Sequence, residues 1–284
     1  MAEREFSGAL RETIADALWQ AHRFVEAHGD AVQRARAAAL LRFDPGAVAQ
    51  REAALAARGA EARGAGERGA PHDPRTALAL LAALAEIGRV RGSAAAAIAA
   101  WIASAQRPDG SFRAPGFELD PDPALPPFAG RDTDPLYLTG ALGALLARSA
   151  AASWAVVDAA AAFLAPRFSP ELLAGGPWHG LAAYGAFFAN APHDAADAIL
   201  QWVGREWEKG FRTGGLAPLD AARLLVACDA RGLPGASVDP RELAAALADA
   251  RSADGGHGAG ATPARVDATN DAIGALLHLL GAPR

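Results

Sequence analysis

Asp132 and Asp134 stand two residues apart in the run Asp132-Thr133-Asp134-Pro135. A carboxylic acid donates a proton to a weakly basic substrate only while it stays protonated, and burial beside a second carboxylate raises its pKa in that direction. The pair thus has the makings of an acid catalyst. It has a second reading, because Asp-Pro also occurs at Asp73-Pro74 and Asp239-Pro240. There an aspartate would cap the free N–H groups of a helix and the proline would occupy its first turn. Asp134 fits that pattern too, and Asp132 fits it less well. His179 opens the most apolar helical segment, inside the longest stretch without a formal charge, from Leu172 to His193. It is either a general base or ligand contact, or a capping or core histidine. Trp178, Tyr184, Phe187 and Phe188 lie on the same segment, with Tyr137 on another. Their rings either stabilise a cation through their negative faces or simply pack.

Helices must position these residues. Strand patterning is nearly absent, and apolar residues recur at helical spacing over about residues 8–28, 30–42, 45–58, 74–89, 93–105, 135–148, 151–165, 179–191, 194–207, 219–230, 240–251 and 269–280. The stretch from Leu172 to His193 is interrupted by Gly175, Gly176, Pro177, Asn190 and Pro192, so it reads as a buried helix and not a membrane span. Residues 59–71 form an Ala-Gly-Arg-Glu stretch expected to be a flexible connector between N-terminal helices (1–58) and a repeat region (72–284). The proline-rich run 113–131 is either a lid or a surface crossing.

Composition narrows the classes. The chain has 284 residues with 27 basic and 32 acidic side chains, a net charge of −5, and 51% apolar residues dominated by alanine. Alanine favours helix. A scattered positive charge with Lys209 as the sole lysine makes a nucleic-acid partner an unsuitable expectation. One cysteine, Cys228, excludes a disulfide framework and thiolate zinc clusters and reads as a small core residue. The first residues carry no apolar export signal, so the expected location is cytoplasmic.

The helices alternate between small, apolar segments and amphipathic ones that end in glycine turns. This alternation predicts a single domain of about six helical hairpins, with inner and outer helices arranged as an all-α toroid. In such a ring the starts of the inner helices converge. His72, Asp73, Asp132, Asp134, Tyr137, Trp178, His179, Tyr184, Asp267 and Asn270 would then meet at one mouth, together with Arg75, Arg131, Asp220 and Asp271.

Two turns carry a resemblance. Gln106-Arg-Pro-Asp-Gly-Ser-Phe112 resembles the Gln-x-x-Asp-Gly-x-aromatic repeat of the squalene-cyclase and protein-prenyltransferase superfamily. Ala253-Asp-Gly-Gly-His-Gly258, followed by Asp267 and the helix after Asn270, resembles the C-terminal end of those α/α toroids. Asp132-Thr133-Asp134 is similar to the first three positions of the Asp-x-Asp-Asp motif of class II terpene cyclases, with Pro135 in the fourth. The resemblance implies acid-initiated cyclisation or isomerisation of an isoprenoid or polyene, with Asp132 and Asp134 as the acid pair. His179 and Tyr137 would orient the substrate, and Trp178, Tyr184 and Phe187 would line the cavity. The zinc-holding Asp-x-Cys pair of the prenyltransferases has no counterpart, since Cys228 precedes Asp229 and Asn270 stands where their histidine falls. No metal or other cofactor is implied. The expected partner is a small hydrophobic substrate. A peripheral membrane contact and the oligomeric state stay open, as does a non-catalytic role as ligand carrier or helical scaffold.

Overall fold

A computed structural model describes residues 6–42, 46–67, 73–115, 135–174 and 178–282. The described residues are all-helical, and no strand occurs among them. Long helices come in successive pairs: α1 (Gly8–His28) with α2 (Ala31–Leu41), α3 (Ala47–Glu67) with α4 (Pro74–Glu86), and α5 (Ser93–Ala103) with α6 (Pro135–Ser149). Next come α7 (Trp154–Leu164) with α9 (Trp178–Asn190), separated by the short α8 (Pro170–Leu173). The last pairs are α10 (Ala196–Thr213) with α11 (Pro218–Cys228), and α12 (Pro240–Asp249) with α13 (Thr262–Leu279).

Local signals start several of these helices. Asp73 accepts the Arg75 N–H and is followed by Pro74 in the first turn of α4, and Asp239 and Pro240 start α12 in the same way. The aspartate satisfies an orphan donor, and the proline lacks one. Asp30 and Gln33 close a capping box at the start of α2. Among the described residues no helix is long and apolar enough to cross a membrane.

The second members of the pairs lie beside one another and run in the same direction. Gly140 on α6 sits against the Ala183 backbone of α9, and three residues later Gly143 meets the Phe187 ring. A Cβ at position 140 would lie 2.0 Å from the Ala183 carbonyl oxygen, so only glycine permits this approach. The Asn190 amide at the end of α9 donates to the Cys228 carbonyl at the end of α11 (3.2 Å), and His278 near the end of α13 contacts the Ala230 carbonyl just beyond α11 (2.8 Å). Arg91, past the end of α4, donates to the Arg148 carbonyl in the last turn of α6. Gln33 at the start of α2 reaches Pro263 and Asp267 in the first turns of α13.

The two glycine turns are structural equivalents. Asp109 accepts the Ser111 N–H and Asp254 the Gly256 N–H, while the next residue donates to a threonine on the following helix: Phe112 to Thr139 Oγ1 and His257 to Thr269 Oγ1, both at 2.9 Å. Gly110 and Gly255 adopt φ of 85° and 88°, where a side chain is strained. The first turn packs on Ala159 of α7, the second on Gln20 of α1. Helix α1 therefore takes the seat beside the α12 turn that α7 takes beside the α5 turn.

Two expectations are corrected. Residues 59–67 are not a connector but the continuation of α3, because their alanines and arginines keep helix propensity through Gly59, Gly64 and Gly66. The pairs α1/α2 and α3/α4 belong to the same succession of paired helices. The last helix begins at Thr262, not near 269, with Pro263 in its first turn. Asp267 and Asn270 are consequently inside α13 and not at its start.

Candidate functional site

A cavity of about 590 Å³ is bounded by α2, α4, α6, α9, α11 and α13. Alanine makes it. Side chains spaced by three or four residues share one helix face, and the faces turned to this space carry Leu78, Ala82 and Ala85 on α4, Ala182 and Ala186 on α9, and Gly274 and Ala275 on α13. Larger residues there would close the space. On α6 the stripe is Tyr137, Ala141, Leu145 and Arg148. One helix thus carries an aromatic hydroxyl at one end of the cavity and a guanidinium at the other, about 16 Å apart at 1.5 Å rise per residue.

The end near the starts of α6 and α9 is aromatic. Tyr137 meets Trp178 and His179 edge-on, with ring centroids 6.1 and 5.0 Å away, and Trp178 lies over His179 at 4.2 Å. All three are half-buried and line the cavity.

A chain of ion pairs forms part of the wall. Arg36 on α2 grips Glu86 at the end of α4 with two N–H groups (3.0 and 2.5 Å) and shares one of them with Asp271 on α13 (2.6 Å). Arg223 on α11 holds the other Asp271 oxygen at 2.6 Å and Asp220 at 2.9 Å. Burial by itself would lower the Arg36 guanidinium, but Glu86 and Asp271 outweigh it and hold Arg36 well above its ordinary value. Arg223 is raised in the same way, burial being overcome by Asp271 and Asp220. Arg148 differs: burial lowers it, and Asp229 only partly opposes this.

Tyr137, Trp178 and His179 are thus brought together on the cavity, as their positions at helix starts imply. Tyr184 and Phe187 are not on it. Both are fully buried in the core, where Tyr184 packs on Phe168 at 5.2 Å and Phe187 on Phe188 at 5.1 Å. They fall on the faces of α9 turned toward its neighbours, a consequence of the tight α6–α9 approach. Asp73 is a helix cap also paired with Arg75 (2.9 Å). Asp267 is exposed and accepts from Gln33 (2.9 Å), while Asn270 is buried and donates to the Gln33 carbonyl (3.2 Å). These two tie α13 to α2. His72, Asp132 and Asp134 lie outside the described residues.

Reasoning from sequence passed over Arg36, Arg42, Glu86, Arg148 and Arg223 as site residues. The available signal was a charge interrupting an otherwise small and apolar helix, as Glu86 does on α4 and Arg148 on α6. Among the described residues no group of histidine, cysteine and carboxylate side chains is placed to hold a metal ion. Comparison with protein-family models, with curated proteins and with solved structures finds no match for this chain.

Proposed function

We propose that the six hairpins close into a single α/α toroid and that its lumen binds a small hydrophobic molecule of isoprenoid or polyene type. The cavity carries this reading: its volume of about 590 Å³ falls within the roughly 300–1,000 Å³ of small-molecule sites, and its lining is apolar apart from a few placed polar groups. The positions of α1 beside α12 and of α2 between α13 and α4, through Arg36, support closure of the ring.

On this reading the bound molecule undergoes acid-initiated cyclisation or isomerisation. Asp132 and Asp134 precede in sequence the helix α6, whose first turn carries Tyr137. On this reading the pair supplies the proton. Glu86 and Asp271, the carboxylates lining the cavity among the described residues, are each held by an arginine and serve as acceptors. The Tyr137, Trp178 and His179 rings would orient the chain and face a developing cation. That same engagement of the wall carboxylates favours a second reading, in which the lumen carries its ligand without transforming it.

Incubating the purified protein with linear isoprenoid alcohols, diphosphates and squalene, followed by mass spectrometry, separates the two. A new isomer formed by the wild type and lost in Asp132→Asn or Asp134→Asn supports the catalytic reading. Binding without product, unchanged in both variants, favours the carrier.

A further inference from the structure

The two ends of the cavity differ in charge as well as in shape. Opposite the aromatic cluster, the last turns of α2, α4, α6, α11 and α13 contribute Arg42, Glu86, Arg148, Ala227 and Leu277. Glu86 is engaged by Arg36, and Arg223 and Asp271 by each other. Arg42 and Arg148 remain.

The Arg148 side chain is only 12% exposed, and among the described residues its one carboxylate partner is Asp229, met through Nη2 at 3.1 Å. Asp229 is itself 44% exposed. Arg91 adds a further positive charge beside it, donating its Nε–H to the Arg148 carbonyl (3.2 Å). Arg42, just past α2 in the left-handed conformation (φ 54°), is exposed, lines this end of the cavity and has no carboxylate partner among the described residues. Helix C-termini favour a nearby cation by only about 0.3–1 kcal/mol. A buried guanidinium with a single, partly solvated partner and an apolar space in front of it keeps unused donors.

We propose that this end of the lumen receives the carboxylate of an amphiphilic ligand, with Arg148 and Arg42 as its donors and the apolar chain running along the alanine-lined wall toward Tyr137, Trp178 and His179. The inference rests on the lumen-binding reading above. A planar carboxylate matches the fork of the Arg148 guanidinium, which is nearly buried and lines the cavity. A diphosphate would bring charge that Glu86 and Asp271, on the same wall, would repel.

The test uses the full chain and displacement of the neutral fluorophore Nile red by farnesoic acid, farnesol and farnesyl diphosphate. A charge-assisted hydrogen bond worth about 1.5–3 kcal/mol corresponds to at least about a tenfold preference for the acid over the alcohol. Arg148→Met and Arg42→Met should each remove most of that preference while leaving the affinity for farnesol unchanged, which also reports that the variants fold. Arg148→Lys should retain part of it. Equal binding of acid and alcohol, a preference surviving both methionine variants, or tighter binding of the diphosphate than of the acid would overturn the carboxylate assignment while leaving the lumen as a binding site. Failure of all three compounds to displace the probe would overturn the lumen reading and the head-group assignment with it.

Discussion

Replacing Arg36 with methionine removes one charge from the middle of the ionic wall and keeps most of the side chain's volume. The structure sets the size of the effect. Arg36 makes two hydrogen bonds to Glu86 and one to Asp271, with side-chain exposures of 17%, 23% and 27% for the three groups. Removing one partner of a fully buried pair costs about 3–5 kcal/mol, whereas an exposed pair is worth about 0–1 kcal/mol. These groups are largely but not wholly buried, and Asp271 keeps Arg223, so the expected loss is about 2–3 kcal/mol, mostly from the stranded Glu86. Arg36→Met/Glu86→Gln should recover part of it, since the glutamine leaves no unpaired charge. Urea unfolding followed by far-UV circular dichroism gives the stabilities, with m-values checked for constancy. Hydrogen exchange should show α2 losing protection first, because Arg36 links it to α4 and, together with Gln33, to α13. A loss below about 0.5 kcal/mol for Arg36→Met, or no recovery in the double variant, would show that the network behaves as an ordinary surface pair.

Other consequences can be measured separately. His257 is 1% exposed, and burial, with a smaller contribution from Arg251, pushes its pKa down from 6.5 to about 4. The unfolded chain therefore takes up the proton first, and stability should fall by up to about 3 kcal/mol as pH drops from 6.5 to 4. A His257→Leu variant should lose that part of the pH dependence in urea titrations, and an unchanged slope would contradict the assignment. Gly110→Ala would place a Cβ 1.9 Å from the Ala159 carbonyl oxygen at a φ of 85°. It should cost at least about 2 kcal/mol and lower the melting temperature, and a neutral result would mean that the turn does not seat on α7 as described. Ala186→Phe projects a ring into the lumen and should abolish Nile red binding while keeping the melting temperature near or above that of the wild type. Retained binding would move the site elsewhere. Burial raises the Cys228 thiol to about 12, so a thiol reagent should label it only under unfolding conditions.

Features whose causes are local were legible in the sequence. Asp73-Pro74 and Asp239-Pro240 start helices because capping involves only neighbouring residues. The Asp-Gly turns at Gly110 and Gly255 were legible because one residue must take a positive φ. The alternation of apolar and amphipathic segments revealed the hairpin pairs, and the positions of Tyr137 and His179 at helix starts put them at one end of the cavity. Where one local signal competed with another, sequence reasoning failed. Thr269 and Asn270 have the composition of a helix start, but Pro263 had already opened α13 two turns earlier. Glycines near residue 60 suggested a connector that helix propensity carries through.

The site itself was decided by tertiary structure. Arg36 and Asp271 are 235 positions apart, Arg36 and Glu86 are 50, and Arg223 and Asp271 are 48. No spacing along the chain relates them, and only the side-by-side packing of α2, α4, α11 and α13 turns four separate charges into one network. The same holds for the cavity. Alanines are ordinary helix residues in the sequence, and they become an open lumen only where six helices present them to one another across a space that no larger side chain fills.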